Sequence, residues 1–188
     1  NENRIKILTA IAELFELSHD IPTSFDSIPV LNKQNAIYYL FYTDRGDSDI
    51  DDLWELFVAT LAYSENSTSE NKDYFSRYFD KVINRKNNGN AKITMGLYWI
   101  ASNSFLNIDG PNKEYIYESG KLPLELVHKL PKVNSKVSAS DYLVIVESLK
   151  NYLGSPQSEL KNFKELSFEA WKYSEQVNKE EQAKKEVS

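Results

Sequence analysis

The residues between 77 and 92 are the first candidates for chemistry. Arg77, Lys81, Arg85, Lys86 and Lys92 stand there against a single acid, Asp80. Asn87, Asn88, Gly89 and Asn90 interrupt them with turn-forming residue types. Two helices joined at such a turn present backbone N–H groups at the start of the second helix. Those groups, with the helix dipole, suit a phosphate. The candidate phosphate-binding set is Arg85, Lys86, Asn88, Gly89, Asn90 and Lys92. Asn88, Gly89 and Asn90 would contribute amides, and the three basic side chains would contribute charge. Helix-hairpin-helix units hold a nucleic-acid backbone in this way without reading its sequence. A plain helix–helix turn closed by Gly89 as a C-cap accounts for the same residues.

Other chemistries find less support. His19 and His128 are the only histidines and there is no cysteine, so no metal-ligand spacing exists and no metal is expected. No Gly-x-Ser-x-Gly nucleophile signal, Walker loop or GxGxxG occurs, and no cofactor is implied. Asp44, Asp47, Asp49, Asp51 and Asp52 form an acidic run beside Arg45. The run lacks the central Gly and closing Glu of a calcium loop, and helix capping explains it more simply. Trp54, Trp99 and Trp171 invite an aromatic cage for a modified base. Each lies on an apolar helical stripe, so core packing is the expectation.

The elements that must position these residues read as helices. The 188-residue chain is 41% hydrophobic and 13% aromatic, enough for a real core. Its net charge of −6 argues against a general nucleic-acid binder, although a local basic patch can still hold phosphate. No apolar run approaches the roughly 20 residues needed to span a bilayer. With no signal-peptide pattern, a cytoplasmic protein without membrane contact is expected. The start at Asn1 rather than Met fits a piece of a longer protein.

Residues 3–17 form an amphipathic helix through Ile7, Ile11, Leu14 and Phe15, stopped at Ser18–Asp20. Residues 36–42 are short and aromatic and fit either an extended piece or a buried helical turn. A helix follows Ser48 or Asp49, with Leu53, Trp54, Phe57 and Leu61 as its apolar stripe. Further helices are expected over 72–83, 91–100, after Asp109, near 122–130, over 141–153 and over 163–176. The fold class is all-α: a single helical domain built around a helix-hairpin-helix-like pair, with short extended segments near 36–42 as an option. Residues 1–176 form the helical module, and 177–188 are a charged linker or frayed helix.

The stretch AKITMGLYWIASNSFLNIDGPNKEYI, residues 91–116, resembles the region ahead of the AAA+ motor in McrB-like restriction proteins. Those often read close to AKLTMGLFWINPDKFLNLDSRNREYL. The segment from Asp49 to Phe57 resembles their DDIDxLWxLF, and that from Phe163 to Trp171 their FPELSYEAW. The resemblance covers roughly 35–173 in order. The family turn is close to KGVGIAK, whereas here it runs from Lys86 to Lys92 with one glycine fewer. Asn tolerates the left-handed backbone such a turn needs.

The resemblance implies a non-enzymatic DNA-binding or coupling module of a restriction system against foreign, often modified, DNA. The partners implied are DNA, an AAA+ motor and a nuclease subunit. A protein–protein adaptor without nucleic-acid contact is a second expectation, allowed by the acidic charge. The layout is also similar to helix-hairpin-helix glycosylases, which carry a catalytic Asp at the place of Asp109. The simpler role for Asp109 is N-cap of the helix that begins at Gly110 and Pro111.

Overall fold

The computed structural model describes residues 2–18, 20–23, 38 and 42–187. The expected extended segment near 36–42 lies outside the described residues, apart from Tyr38 and Tyr42. His19 lies outside them as well. All regular structure among the described residues is helical, as the hydrophobic periods predict. The chain divides into two units, residues 1–31 and 32–188.

The first unit carries α1, Glu2–Leu14. Its apolar residues Ile7, Ile11 and Leu14 share a helical face but stay exposed, and no residue of α1 is buried. The helix stops earlier than the expected Ser18–Asp20. Glu16 turns left-handed at φ 53°, and Leu17 N–H reaches back to the Ala12 carbonyl at 2.9 Å. That pattern satisfies the carbonyls of the last turn.

In the second unit a short 3-10 turn at Tyr42–Asp44 precedes α2 (Asp49–Glu65), α3 (Ser69–Ile83), α4 (Asn90–Ile100) and α5 (Gly110–Tyr117). Then come α6 (Leu124–Val127), α7 (Ala139–Leu153) and α8 (Phe163–Val187). Side chains fix four of the starts, that of α8 through Asn162 Oδ1, which accepts from Lys164 and Glu165 N–H at 3.0 Å. Thr68 accepts from Asn71 N–H at 3.2 Å, Asp109 from Asn112 N–H at 3.0 Å and Ser138 from Asp141 N–H at 3.1 Å. Asp80 on α3 also accepts from Ala139 N–H at 2.7 Å, anchoring the start of α7. α8 is one continuous helix through the segment expected to be linker or fray.

Packing centres on α3, which lies along α2 and also meets α7 and α4, while α5 lies along α8. Phe75 and Phe79 of α3, Phe105 of the link after α4 and Tyr142 of α7 are fully buried and stack together. The Phe79 and Tyr142 rings are 5.0 Å apart at 8°, and Phe75 and Phe105 are 5.2 Å apart at 21°. The Tyr142 hydroxyl donates to the Leu106 carbonyl at 2.8 Å, so the one polar atom of that ring is satisfied.

α2 corrects the expected core. Its buried residues are Asp49, Asp52, Leu56, Ala59, Thr60 and Tyr63; of the expected stripe Leu53 packs half-buried against the core, while Trp54, Phe57 and Leu61 are exposed. Apolar residues occupy both faces of this helix, so spacing alone could not choose the inner one. Leu56, Ala59, Thr60 and Tyr63 turn inward, with Tyr63 stacked on Phe75 of α3, while Trp54, Phe57 and Leu61 turn outward.

The link between α4 and α5 is tightly held. Thr94 Oγ1 donates to the Asn90 carbonyl and accepts from the buried Ile108 N–H, both at 2.7 Å. Asn107 donates to Asp109 at 2.8 Å and accepts from Ser167 of α8 at 3.1 Å. These bonds set where α5 begins relative to the start of α4.

Candidate phosphate-binding groove

The turn from Asn84 to Gly89 joins α3 to α4. Asn87 takes the left-handed conformation, with φ 67°. Gly89 is extended, at φ −170° and ψ 179°, and is the N-cap of α4 rather than a C-cap of α3. The expected glycine role thus falls to an asparagine two residues earlier. Gly89 has no side chain to bond the first amides of α4, and no side chain caps that end. The starts of α3, α5 and α7 are all capped by side chains.

The six predicted phosphate ligands are placed as follows. Arg85 is drawn away from the turn. Its Nη2 donates to Asp52 at 2.8 Å and to Ser48 Oγ at 3.2 Å, and its Nη1 lies 2.8 Å from Asp49. Lys81 bonds the other Asp52 oxygen at 3.1 Å. The basic run at 77–92 and the acidic run at 44–52 are therefore partly one internal network. Asp52 is buried. Burial pushes its carboxyl up, but hydrogen bonds from Arg85 and Lys81, the Lys81 charge and Ser48 outweigh this and hold it below the usual value.

Asn88 is buried, and its amide nitrogen donates to the Val82 carbonyl at 2.9 Å. Its backbone N–H is used within the turn, reaching the Arg85 carbonyl at 3.2 Å. Asn90 spends its side chain on the facing loop, donating to the Asn134 carbonyl at 2.6 Å and accepting from Val137 N–H at 2.8 Å. Lys92 folds over the turn and donates to the Asn87 carbonyl at 2.7 Å, and burial lowers its pKa. Lys86 is exposed and has no hydrogen bond or ion pair among the described residues.

A groove of about 590 Å³ opens beside this turn. Its walls are residues 87–92, the start of α5 with Asp109, Gly110 and Lys113, and the loop 133–135. Two helix N-termini thus border one space, with Lys92 and Lys113 in its lining. Lys136 adds a further cation from the loop beyond and is tied to the turn through the Arg85 carbonyl at 3.0 Å. The one acid among the described residues of the lining is Asp109. Its carboxylate is engaged by Asn107, by Asn112 N–H and by the Asn112 side chain at 2.8 to 3.0 Å. It is the N-cap of α5, as expected from Gly110 and Pro111.

Lys113 and the facing 133–136 loop were absent from the predicted site. Only the fold brings them to the turn, across separations of more than twenty and more than forty residues. The three tryptophans are another correction. Trp54 is 64% exposed, Trp99 54% and Trp171 38%, so none is packed in the core. Trp54 and Phe57 border a second groove, of about 200 Å³, between α2 and α4. Among the described residues no group of His, Cys, Asp and Glu could hold a metal ion. No described helix is long and apolar enough to cross a membrane.

The chain belongs to the DUF8425 family, a domain of unknown function, whose model matches residues 1–173. No curated protein and no solved structure matches it.

Proposed function

We propose that this DUF8425 chain is a non-enzymatic module that holds DNA phosphates in the groove between the α3–α4 turn and the start of α5. The observation that carries the reading is the lining of that groove. An uncapped helix N-terminus meets Lys92 and Lys113 there, and the only carboxylate among its described lining residues, on Asp109, is already engaged by its own cap. A phosphate oxygen would take the first amides of α4 and the charge of Lys113, with Lys86 and Lys136 reaching the flanking phosphates. Arg85 contributes little, because Asp49 and Asp52 hold it.

The resemblance to McrB-like restriction proteins supports the wider role. In that setting the module would couple a DNA contact to an AAA+ motor and a nuclease partner carried elsewhere. The glycosylase alternative loses support, since the Asp109 carboxylate serves as a cap and Asn107 and Asn112 surround it.

Duplex binding by fluorescence anisotropy tests the reading, with and without cytosine methylation and at several salt concentrations. Affinity should fall steeply with salt. Lys86→Glu with Lys113→Glu should weaken binding by about tenfold or more at low salt. Unchanged affinity in that double variant rejects the groove as the phosphate site.

A further inference from the structure

We propose that the outward face of α2, together with the groove it forms against α4, docks an amphipathic helix from a partner protein, one with Lys or Arg flanking its apolar face. This face lies apart from the phosphate groove, and the inference does not depend on DNA binding.

The inference starts from the inverted packing of α2. Ile50, Trp54, Phe57, Val58 and Leu61 are all exposed, and their spacing of four, three, one and three residues keeps them on one side of the helix. A single exposed leucine needs no explanation, but a continuous stripe centred on a tryptophan does. Trp54 is held in place by Phe57, edge-on at 5.8 Å and 89°. An exposed tryptophan is a residue type enriched among those that dominate binding energy at interfaces. Beside it, Leu53, Trp54 and Phe57 of α2 face Gly96, Leu97 and Ile100 of α4 across the groove of about 200 Å³, and Tyr38 closes one side with its hydroxyl over Gly96. Apart from the Tyr38 hydroxyl the lining is apolar, so the open part suits an apolar side chain.

Charge selects the occupant. Between Asp49 and Glu65, α2 has five acids and no base. Asp49 and Asp52 are neutralised from the inside by Arg85 and Lys81, and Glu55 accepts from the Tyr74 hydroxyl. Asp51 and Glu65 remain exposed, near the two ends of the stripe, with no partner among the described residues. A second copy meeting this face about a two-fold axis would bring like acids together. A nucleic acid would meet the same repulsion. A helix with apolar anchors and basic flanks satisfies both the stripe and its rim.

The probe is a labelled synthetic helix with Leu at three- and four-residue spacing and Lys on both flanks, compared with the same helix carrying Glu on its flanks. Anisotropy with the full chain should give micromolar binding of the Lys-flanked helix and about tenfold weaker binding, or none, of the Glu-flanked one. Trp54→Ala should weaken binding by about tenfold or more with an unchanged thermal melt, because the side chain is exposed. Val58→Lys on the same face serves as a second variant. Asp51→Lys should weaken binding, whereas Glu175→Lys on α8, an equal change in net charge, should not. The proposal is overturned by equal binding of the two helices, by full affinity in both Trp54→Ala and Val58→Lys, or by equal losses in Asp51→Lys and Glu175→Lys. Sedimentation showing a dimer that Trp54→Ala dissolves would also overturn it in favour of a second copy.

Discussion

Arg85 donates through Nη2 to Oδ2 of the buried Asp52 at 2.8 Å, joining the end of α3 to the first turn of α2. The same guanidinium reaches Asp49, so one cation serves two acids that α2 places three residues apart. Arg85→Ala should therefore act on stability more than on DNA. Removing one partner of a buried pair leaves the other charge uncompensated, a cost of about 3–5 kcal/mol when the pair is fully buried. Arg85 is about one-third exposed, and Lys81 still touches Asp52, so about 1–3 kcal/mol is expected. Urea unfolding measures this. DNA affinity should change less in Arg85→Ala than in Lys86→Glu.

The same pair sets an acid limb. The Asp52 carboxyl is held below its ordinary value in the folded state, so the unfolded chain binds its proton more readily. The resulting stability is fully present above the unfolded value of about 3.9 and is lost as pH falls through the folded value. Asp52→Asn should flatten the dependence of unfolding free energy on pH in that range. An identical acid limb in wild type and Asp52→Asn would remove Asp52 from the account.

An alkaline limb is expected from Tyr63. Burial, together with its hydrogen bond to Glu147 at 2.9 Å and the Glu147 charge, raises its pKa to about 12. A raised folded value means stability that is complete below the ordinary value near 10 and is lost as pH climbs towards 12. Tyr74 and Tyr117 are raised alike, so phenolate absorbance should show several late-titrating tyrosines and one fewer in Tyr63→Phe, which should also soften the alkaline loss.

Much of this fold is legible in the chain. The start of α5 follows from Asp109-Gly110-Pro111, because a short polar side chain bonds the first amides of a helix whatever the tertiary context, whereas α7, expected over 141–153, begins earlier, at Ala139 behind the Ser138 cap. The contrast between the acidic run at 44–52 and the basic run at 77–92 is also plain in the sequence. That Asp49 and Asp52 would meet Arg85 and Lys81 is not, since pairing depends on α2 lying along α3. Trp54 shows the same limit. A helix apolar on two sides has two candidate inner faces, and the buried one carries Leu56, Ala59 and Tyr63, with Tyr63 stacked on Phe75 of α3. Lys113 reaches the groove only because Thr94 and Asn107 fix the link between α4 and α5.

One buried amide of that link rests on a single hydroxyl. Thr94 Oγ1 is the partner of the buried Ile108 N–H. Thr94→Val keeps the shape and removes the acceptor, leaving the amide orphaned at a cost of about 1–3 kcal/mol. The expected secondary effect is a loosened start of α5, seen as faster amide exchange at Asn112 and Lys113. Thr94→Ser should retain both bonds and lie close to wild type.

Asn87 and Gly89 make opposite predictions to those their types suggest. Asn87 occupies the left-handed region, where a β-branched side chain is strained, so Asn87→Val should cost about 1–2 kcal/mol and Asn87→Gly little. Gly89 has an extended backbone that any residue adopts, and a Cβ there would sit 3.8 Å from the Ser135 carbonyl, an ordinary contact. Gly89→Ser places a hydroxyl at the N-cap of α4, where it can bond the first amides. The cap should stabilise the fold by a few tenths of a kcal/mol, the usual margin of Ser over Gly at this position. If phosphate is held by those amides, the hydroxyl competes for them, so the more stable variant should bind DNA more weakly. A structural turn with no ligand would show the gain in stability and no change in binding. Thermal melts and anisotropy on this one substitution therefore separate a phosphate clamp from a plain helix–helix turn.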